Sequence, residues 1–365
     1  MKFSFNRNAM INEIAIAQET ISEKNSAVIY SYVSLTAEGN SLTIRATDTK
    51  MKFIARLPVQ AETEGTAIVL CSKLMGILSQ LPEGEIEFEV VDKDGEKEAV
   101  IKHSTKKIRF RLRCRPESVE TVDFSGLDFI SIPASALKEM IVLTTYAVSN
   151  DKNKFIMNGV LLEKDGDRLN LVATDSRRLA FASRAILSEV DEFRSIIVHP
   201  KILSIFAKYA SDEGNVEIAV TENDIVLRFS NYTISASLIE GLFPNYRRVI
   251  PEAQPKSFKV DREEFMSALK RISVMSDKIR VFLDITPGVL SIHASSEDGD
   301  AREEIPCEFA GEPMSIAMNQ KYLDDALRPI ESDVVLFAFS EPLRPVTLSP
   351  EPKGDDFCIL TPMQL

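Results

Sequence analysis

Apolar residues recur at helical spacing in three places along the chain, and the offset between these places is nearly constant. Within each place they follow the i, i+4, i+7, i+11 pattern of a helix that buries one face. The second stripe lies 127 residues after the first, and the third lies a further 128 residues on. The positions are Met10, Ile14, Ala17 and Ile21; Leu137, Ile141, Thr144 and Val148; and Phe265, Leu269, Ile272 and Ser276. A fixed offset of this kind predicts three copies of one structural unit.

The segments around the stripes recur as well. A short alternating strand precedes each stripe, and a strand that enters a turn follows it, at residues 42–48 and again at 169–175. A second helix is predicted at residues 73–81, 201–210 and 321–330, and alternating strands follow each copy. Many short strands with two helices per unit predict an α+β fold with helices packed on one face of antiparallel sheet.

The repeat also predicts the domain organisation. We expect three domains at residues 1–124, 125–252 and 253–365, and the second boundary falls in a proline-containing polar stretch typical of a linker. The alternative is three tandem domains that share a fold but neither a ring nor a function, which repetition alone does not exclude.

Composition limits the class of protein. The chain of 365 residues is 44% hydrophobic and 27% charged, as in globular proteins, and its formal net charge is −12. That charge argues against a protein that grips nucleic acid with its whole surface, so any DNA contact must use local positive charge. The N-terminus lacks the apolar core of a signal peptide, and no apolar run approaches a membrane span. We expect a cytoplasmic protein with reduced cysteines and no membrane partner.

Common catalytic motifs are missing from the sequence. No phosphate-binding loop of the GxxxxGK[ST] type occurs, and the three histidines lie far from one another and from the cysteines. The 55 acidic residues are scattered, so nothing selects an acid–base pair. We therefore expect a binding protein without catalytic activity, cofactor or metal. Two other classes stay open: a cytosolic scaffold that never touches DNA, and an enzyme whose site forms between domains.

Four segments resemble the bacterial DNA polymerase III beta subunit, the beta sliding clamp family. They read MNGVLLE at residues 157–163, VATDSRRLA at 172–180, FPNYRRVIP at 243–251 and ILTPMQL at 359–365. The resemblance extends to the length of the chain and the order of its three units. It implies a DNA clamp fold: a head-to-tail homodimeric ring of six units whose helices line the hole.

The family resemblance also implies the function and the partners. Such a ring slides on double-stranded DNA without reading its sequence and acts as a replication processivity factor, with no catalysis of its own. The implied partners are the DNA polymerase III alpha subunit, an ATP-driven clamp loader, and other polymerases and repair proteins that carry a clamp-binding peptide. That peptide contains a glutamine and two or three apolar residues.

The resemblance places the peptide pocket between the second and third domains, with apolar walls and a few polar groups. The implied lining residues are Met157, Thr174, Arg178, Leu179, Pro244, Arg248, Val249, Leu343, Pro345, Ile359, Pro362, Met363 and Leu365. Four neighbouring positions depart from the residues common in the family: Ser176, Arg177, Thr361 and Gln364 stand where Gly, His, Met and Arg are usual. These departures leave the peptide specificity open.

Basic residues on or beside the helices are the candidates for DNA contact. Lys73, Lys201 and Lys321 share one repeated position near the start of each second helix. The full set is Arg7, Lys24, Lys73, Lys138, Lys152, Lys154, Lys201, Lys208, Arg271, Lys278 and Lys321. For any one of them the pattern alone favours an ordinary solvated helix face. Sliding requires only a few phosphate contacts, without base readout.

The densest basic run, at residues 106–113, alternates basic with apolar side chains, as an edge strand does. By resemblance, Lys107, Phe110 and Leu112 of this run meet Ile272 and Met275 of the other protomer at the dimer interface. The acidic third unit offers a complementary partner for the basic run. A charged edge that merely prevents aggregation is the alternative.

Overall fold

A computed structural model describes residues 1–21, 31–116, 124, 126–186, 194–275 and 279–364 of the chain. These residues form two compact units, which are described separately below. The first contains most of residues 1–135 together with 201–238, and the second contains residues 136–186, 194–200 and 239–364.

The first repeat contains nine strands and two helices. In chain order they are β1 (Lys2–Asn6), α1 (Arg7–Thr20), β2 (Tyr32–Glu38), β3 (Ser41–Thr47), β4 (Met51–Pro58), β5 (Gln60–Thr63), β6 (Gly65–Leu70), α2 (Cys71–Gln80), β7 (Glu85–Lys93), β8 (Glu96–His103) and β9 (Arg109–Arg113). Except for the short β5, every element has a counterpart in the next two repeats.

The second repeat follows the same order of elements. They are β10 (Ile130–Pro133), α3 (Ala134–Thr144), β11 (Val160–Asp165), β12 (Arg168–Thr174), β13 (Arg178–Ala185), β14 (Ile196–Val198), α4 (Pro200–Tyr209), β15 (Asn215–Val220), β16 (Asp224–Phe229) and β17 (Tyr232–Ser237). Three short 3-10 helices lie at Thr145–Ala147, Lys152–Asn158 and Tyr246–Val249, the last of them in the linker to the third repeat.

The third repeat closes the series. Its elements are β18 (Lys256–Asp261), α5 (Arg262–Ile272), β19 (Arg280–Thr286), β20 (Val289–Ser296), β21 (Gly299–Pro306), β22 (Met314–Asn319), α6 (Gln320–Leu327), β23 (Val334–Phe339), β24 (Val346–Glu351) and β25 (Phe357–Leu360). Every strand pairing within these sheets is antiparallel, which confirms the predicted α+β class with three copies of one unit.

The helix stripes are buried as predicted, because the apolar faces of the helices pack on the sheets. Met10, Ile14 and Ala17 of α1 are fully buried, and so are the equivalent residues of α5. Asp261 begins α5 by accepting a hydrogen bond from the backbone N–H of Glu264 at 2.8 Å. Three helices end more than one residue earlier than predicted. α3 ends at Thr144, before Val148, α6 ends at Leu327 rather than at residue 330, and α5 ends at Ile272, before Ser276, which lies outside the described residues.

Two of the sheets join strands from different repeats. In the first unit an eight-stranded sheet runs β10-β15-β16-β17-β4-β3-β2-β6, so that strands of the second repeat continue directly into strands of the first. In the second unit the order is β14-β11-β12-β13-β25-β24-β23-β18, which joins the second repeat to the third. A five-stranded sheet, β5-β1-β7-β8-β9, and a four-stranded sheet, β21-β20-β19-β22, belong to one repeat each.

All four cysteines are free thiols, and three of them are buried. Burial raises the pKa of the Cys71 thiol to about 12, so it is protonated at neutral pH. Among the described residues, no helix is long and apolar enough to cross a membrane.

Two glutamates of α1 face the second repeat within the first unit and have opposite environments. Glu13 is buried and accepts hydrogen bonds at 3.2 Å from the side chains of Asn231, in the turn that joins β16 to β17, and Tyr232, the first residue of β17. Its Oε2 atom has no hydrogen-bond partner among the described residues. Burial therefore raises the pKa of Glu13. Partial burial also acts on Glu19, but hydrogen bonds from Lys208 and Tyr209 outweigh it and lower the pKa.

We expect Glu13→Gln to stabilise the protein above pH 7. A carboxyl whose pKa is raised by folding stabilises the folded state below its unfolded pKa, and this contribution disappears as the pH rises through the folded pKa. Glutamine has no charge to bury, so the free energy of unfolding should rise by about 1 kcal/mol at pH 7.5, and the gain should vanish near pH 4. Urea denaturation at both pH values measures this difference.

Glu19→Gln is the matched control for this prediction. The pKa of Glu19 is lowered by folding, so its stabilising effect is present above the unfolded pKa and is lost in acid. We expect the control to be destabilised at pH 7.5. A Glu13→Gln variant that is also destabilised there would contradict the assigned environment.

Candidate functional site

One end of the second eight-stranded sheet collects most of the predicted pocket residues. β12 ends at Thr174 and β13 begins beside Leu179, which lies opposite Ile359 of β25. Because these strands are antiparallel, Met157, just before β11, and Pro345, just before β24, lie at the same end. Antiparallel pairing thus brings residues from four separate stretches of sequence to the same end of the sheet.

An apolar cluster forms the floor on this face of the sheet. Leu179 and Ile359 are buried in it together with Tyr246, from the linker between the second and third repeats. The Tyr246 hydroxyl donates to Glu163 at 2.7 Å, which fixes the linker across the strands. The neighbouring linker residues Pro244, Arg248 and Val249 are exposed, and so is Leu343 before β24. Exposed apolar side chains beside a buried apolar floor are suited to binding an apolar peptide.

Arg178 does not project into open solvent. Its guanidinium group is 7% exposed and donates from all three nitrogens: Nε to Asp175 at 3.1 Å, Nη1 to Asp325 at 2.7 Å and Nη2 to the backbone oxygen of Tyr146 at 2.7 Å. The group also lies over the ring of Tyr322, 4.4 Å from its centroid. Arg178 therefore ties β13 of the second repeat to α6 of the third.

Sequence reasoning did not identify these partners of Arg178. Tyr322 and Asp325 lie three residues apart in α6, a spacing that places them on one helix face. That spacing is common, so it would have identified the pair only together with the position of Arg178, 147 residues earlier.

The turn between β12 and β13 contains one of the positions that depart from the family pattern. Ser176 has a φ of 77°, in the left-handed region that glycine adopts without strain. Its hydroxyl accepts a hydrogen bond from Lys154 Nζ at 2.7 Å, and its N–H donates to Thr174 Oγ1 at 3.1 Å. Lys154, a candidate DNA contact, is thus bound to the turn beside the pocket.

The C-terminal segment follows β25 without regular secondary structure. The backbone N–H of Thr361 donates to Arg177 at 2.9 Å, and that of Met363 donates to Ala317 of β22 at 2.7 Å. Pro362 and Met363 are half-buried, and Leu365 lies outside the described residues. The segment is therefore held along the pocket end of the sheet by a few backbone contacts.

Most of the described basic candidates make contacts within their own unit. In the first unit Lys201 donates to the backbone oxygen of Thr20 at 3.0 Å, and Lys208 forms an ion pair with Glu19. Arg7 donates to the backbone oxygens of residues 78 and 79 at the end of α2. Lys73, Lys152 and Lys321 are exposed, Lys138 is half-buried, and Arg271 pairs with Glu303. Lys24 and Lys278 lie outside the described residues.

The residues predicted for the dimer interface come from two regions: β9 with the loop before it, and the end of α5 with the 3-10 helix that follows it. β9 is the edge strand of the five-stranded sheet, as the sequence predicted, with Phe110 and Leu112 half-buried on one face. Lys107 is exposed in the loop before β9. Ile272 is only 3% exposed and belongs to the core of its own unit, whereas its neighbour Val274 is 81% exposed. Met275 is half-buried.

No group of three or more His, Cys, Asp or Glu side chains within the described part of the chain is arranged to hold a metal ion.

Comparisons with known proteins agree with this architecture. Family models of the DNA polymerase III beta subunit match the chain in three successive stretches. The model of the N-terminal domain matches residues 1–118, that of the central domain 131–245, and that of the C-terminal domain 247–364.

Relatives and solved structures match over the whole length. The beta sliding clamp of Treponema pallidum is 38% identical over 379 aligned residues and that of Pseudomonas aeruginosa 28% over 373, with 100% of each chain covered. A crystal structure of the Caulobacter crescentus clamp superposes with a TM-score of 0.92 at 26% identity, covering 100% of this chain and 99% of that one. The Pseudomonas aeruginosa clamp bound to griselimycin gives 0.92 at 28%, with both chains fully covered. The chain therefore belongs to the beta sliding clamp family, the beta subunits of DNA polymerase III.

Proposed function

We propose that two copies of this chain close head-to-tail into a ring around duplex DNA and act as the processivity factor of DNA replication in the cytoplasm. In this proposal the three repeats are domains at residues 1–124, 125–252 and 253–365. The protein has no catalytic activity of its own. It tethers the polymerase and other partners through the pocket at the end of the second eight-stranded sheet, and a separate loader supplies the ATP chemistry.

The pattern of strand pairing supports the dimer. Three consecutive strands follow the first helix of each repeat: β2 to β4, β11 to β13 and β19 to β21. At both joints between repeats, the last strand of the later repeat pairs with the third of these strands in the repeat before it: β17 with β4, and β25 with β13. β9 is the last strand of the first repeat, and β21 is the third strand after the first helix of the third repeat. Each is an edge strand of its own sheet. Pairing β9 of one protomer with β21 of another would complete the series with a third joint of the same kind.

The two existing joints also predict the register of the third. Ile234 lies opposite Phe53 in the first joint, and Cys358 lies opposite Ala180 in the second. Phe110 occupies the same position in β9 as Ile234 in β17 and Cys358 in β25. Each of the three pairs with the equivalent residue of the preceding strand in its own sheet. By the same comparison, Ala301 is the counterpart of Phe53 and Ala180. By analogy with both joints, we expect Phe110 to lie opposite Ala301, and Arg111 opposite Asp300.

The chemistry of this one position differs among the three joints. Lys52 faces Ser235 in the first joint, Leu179 faces Ile359 in the second, and the third would pair Arg111 with Asp300. Of these three pairs of described residues, the Leu179–Ile359 pair of the second joint is the one with two apolar side chains, which supports one peptide pocket per protomer. An ion pair across the third joint would favour association of unlike edges over like ones.

The helices carry charge of the opposite sign to the chain as a whole. The six helices contain nine basic and seven acidic residues, whereas the formal net charge of the chain is −12. The slight positive charge of the helices on an otherwise acidic protein supports an arrangement in which the helices face the DNA phosphates and the outer surfaces do not bind DNA. A small number of phosphate contacts without base readout would let the ring slide.

The complementary edge strands β9 and β21 are the observation that carries this proposal. Its test is retention on DNA of defined topology. After loading onto a nicked circular plasmid, the protein should elute with the DNA in gel filtration, and linearisation with a restriction enzyme should release it, because a ring slides off free ends.

A matched circular plasmid treated with an enzyme that has no site on it is the control. Retention on the linearised DNA would exclude encirclement. A protein that fails to dimerise by light scattering at micromolar concentration would exclude the ring.

A further inference from the structure

The C-terminal wall of the proposed pocket has little support of its own. Residues 361–364 lie outside any strand or helix, and Pro362 and Met363 depend on a few contacts for their position. Ordering a short terminal segment costs about 1–2 kcal/mol of backbone entropy for each residue. A group that fixes this segment before the peptide arrives would therefore raise the affinity for the peptide.

Arg280, the first residue of β19, provides such a contact. Its Nη1 donates to the backbone oxygen of Gln364 at 3.2 Å, one residue beyond Met363. The contact lies 84 residues away in sequence and joins the end of the chain to the four-stranded sheet of the third repeat. With the Met363 N–H bonded to Ala317 on β22, the segment is held on both sides of the Met363 side chain.

The Arg280 side chain is itself supported from behind. Its guanidinium lies over the ring of Phe282 at 5.2 Å, and Phe282 stacks on His293 with ring centroids 4.9 Å apart and planes 10° apart. His293 Nε2 contacts Asp284 at 3.0 Å. This row of stacked and paired groups restricts the rotamers of Arg280, which lowers the entropy lost when it holds the segment.

The backbone before Arg280 is strained. Ile279 has a φ of 57°, a left-handed conformation that is unfavourable for a β-branched residue and costs roughly 1–3 kcal/mol. Its carbonyl accepts a hydrogen bond from the N–H of Gln320 at 2.8 Å, at the start of α6. The strained residue therefore lies directly before β19, where the backbone sets the direction of the Arg280 side chain.

We propose that Arg280 is a positioning residue for partner recognition: it fixes residues 361–364 so that Pro362 and Met363 form a ready-made wall for the partner peptide. The inference rests on the proposed peptide pocket. Arg280 need not touch the peptide, and it acts through the segment that does.

The test is calorimetric titration of a synthetic peptide with one glutamine, two leucines and a phenylalanine into the full-length protein. Loss of one hydrogen bond from a charged donor should weaken peptide binding about three- to tenfold in Arg280→Ala. Arg280→Lys keeps the charge and a donor, so it should recover part of the affinity. Arg262→Ala is the matched control, since Arg262 also donates to a backbone oxygen of the third repeat, that of Ser332 at 3.2 Å, away from the C-terminal segment. It should leave peptide binding unchanged.

Combination with Met363→Ala separates positioning from a general loss of structure. If Arg280 acts through the segment, the double variant should bind within about twofold of Met363→Ala alone, because the wall is already removed. Independent losses that multiply, or full affinity in Arg280→Ala while the wild type binds, would overturn the proposal. A wild-type protein that does not bind the peptide would instead reject the pocket itself.

Discussion

A disulfide should form between protomers when cysteines replace Arg111 and Asp300 in a chain that also carries Cys114→Ser. The register inferred from the two internal joints places these residues directly opposite each other, where Cα atoms in an antiparallel pair are about 4.5–5.5 Å apart. A disulfide spans about 4.4–6.8 Å between Cα atoms. We expect most of the protein to migrate as a covalent dimer on a non-reducing gel after mild oxidation. Cys114 is removed because it is only partly buried and follows β9 directly.

The control moves one cysteine by two residues along the same strand. Arg113→Cys with Asp300→Cys keeps the side chain on the same face but shifts it about 6.6 Å along β9, beyond the reach of a disulfide to residue 300. We expect little cross-linking there. Equal cross-linking in both proteins would show that the register is wrong, and none in either, for a protein that is dimeric by light scattering, would place the interface elsewhere.

Removal of the Arg178 side chain should strongly destabilise the second unit. Arg178→Ala leaves Asp175 and Asp325 without their cation and leaves the backbone oxygen of Tyr146 without its donor. Breaking a buried ion pair by removing one partner costs about 3–5 kcal/mol. We expect a clearly lower urea midpoint by circular dichroism.

Arg177→Ala is the neighbouring control, since Arg177 is exposed and its substitution should change the free energy of unfolding by less than about 0.5 kcal/mol. The double variant Arg178→Ala, Asp325→Ala should lose less than the sum of the single losses, because the two side chains form one pair. Additive losses would mean that Arg178 acts mainly through other contacts.

The sequence predicted the repeated elements well because periodicity is a local property. The stripe at Met10, Ile14 and Ala17 and the basic edge at β9 depend on the spacing of residues within one helix or one strand. The family resemblance then predicted a pocket between the second and third domains. The residues it named at Leu179 and Ile359 lie opposite each other in the sheet, and their role in binding stays a prediction.

Contacts between distant segments could not be predicted from the same patterns. The pairing of β4 with β17 joins residues about 180 positions apart, and either strand could pair equally well with another free edge. The family resemblance implies a place for Ile272 at the dimer interface, which stays a prediction, whereas the local pattern alone could not show that its side chain also joins the core of its own unit. Three of the four groups around Arg178, from Tyr146, Tyr322 and Asp325, belong to distant segments that only the folded chain brings together.

Because two sheets are shared between repeats, the repeated unit of the sequence is not the unit that folds. A copy of the repeat cut out at its sequence boundaries would leave half of an eight-stranded sheet with its inner strand uncovered, at β4 or β25, and the middle repeat would lose both of its neighbours at once. Cooperative unfolding should therefore follow the two sheets rather than the three copies. We therefore expect substitutions that weaken one repeat to destabilise the repeat that shares its sheet.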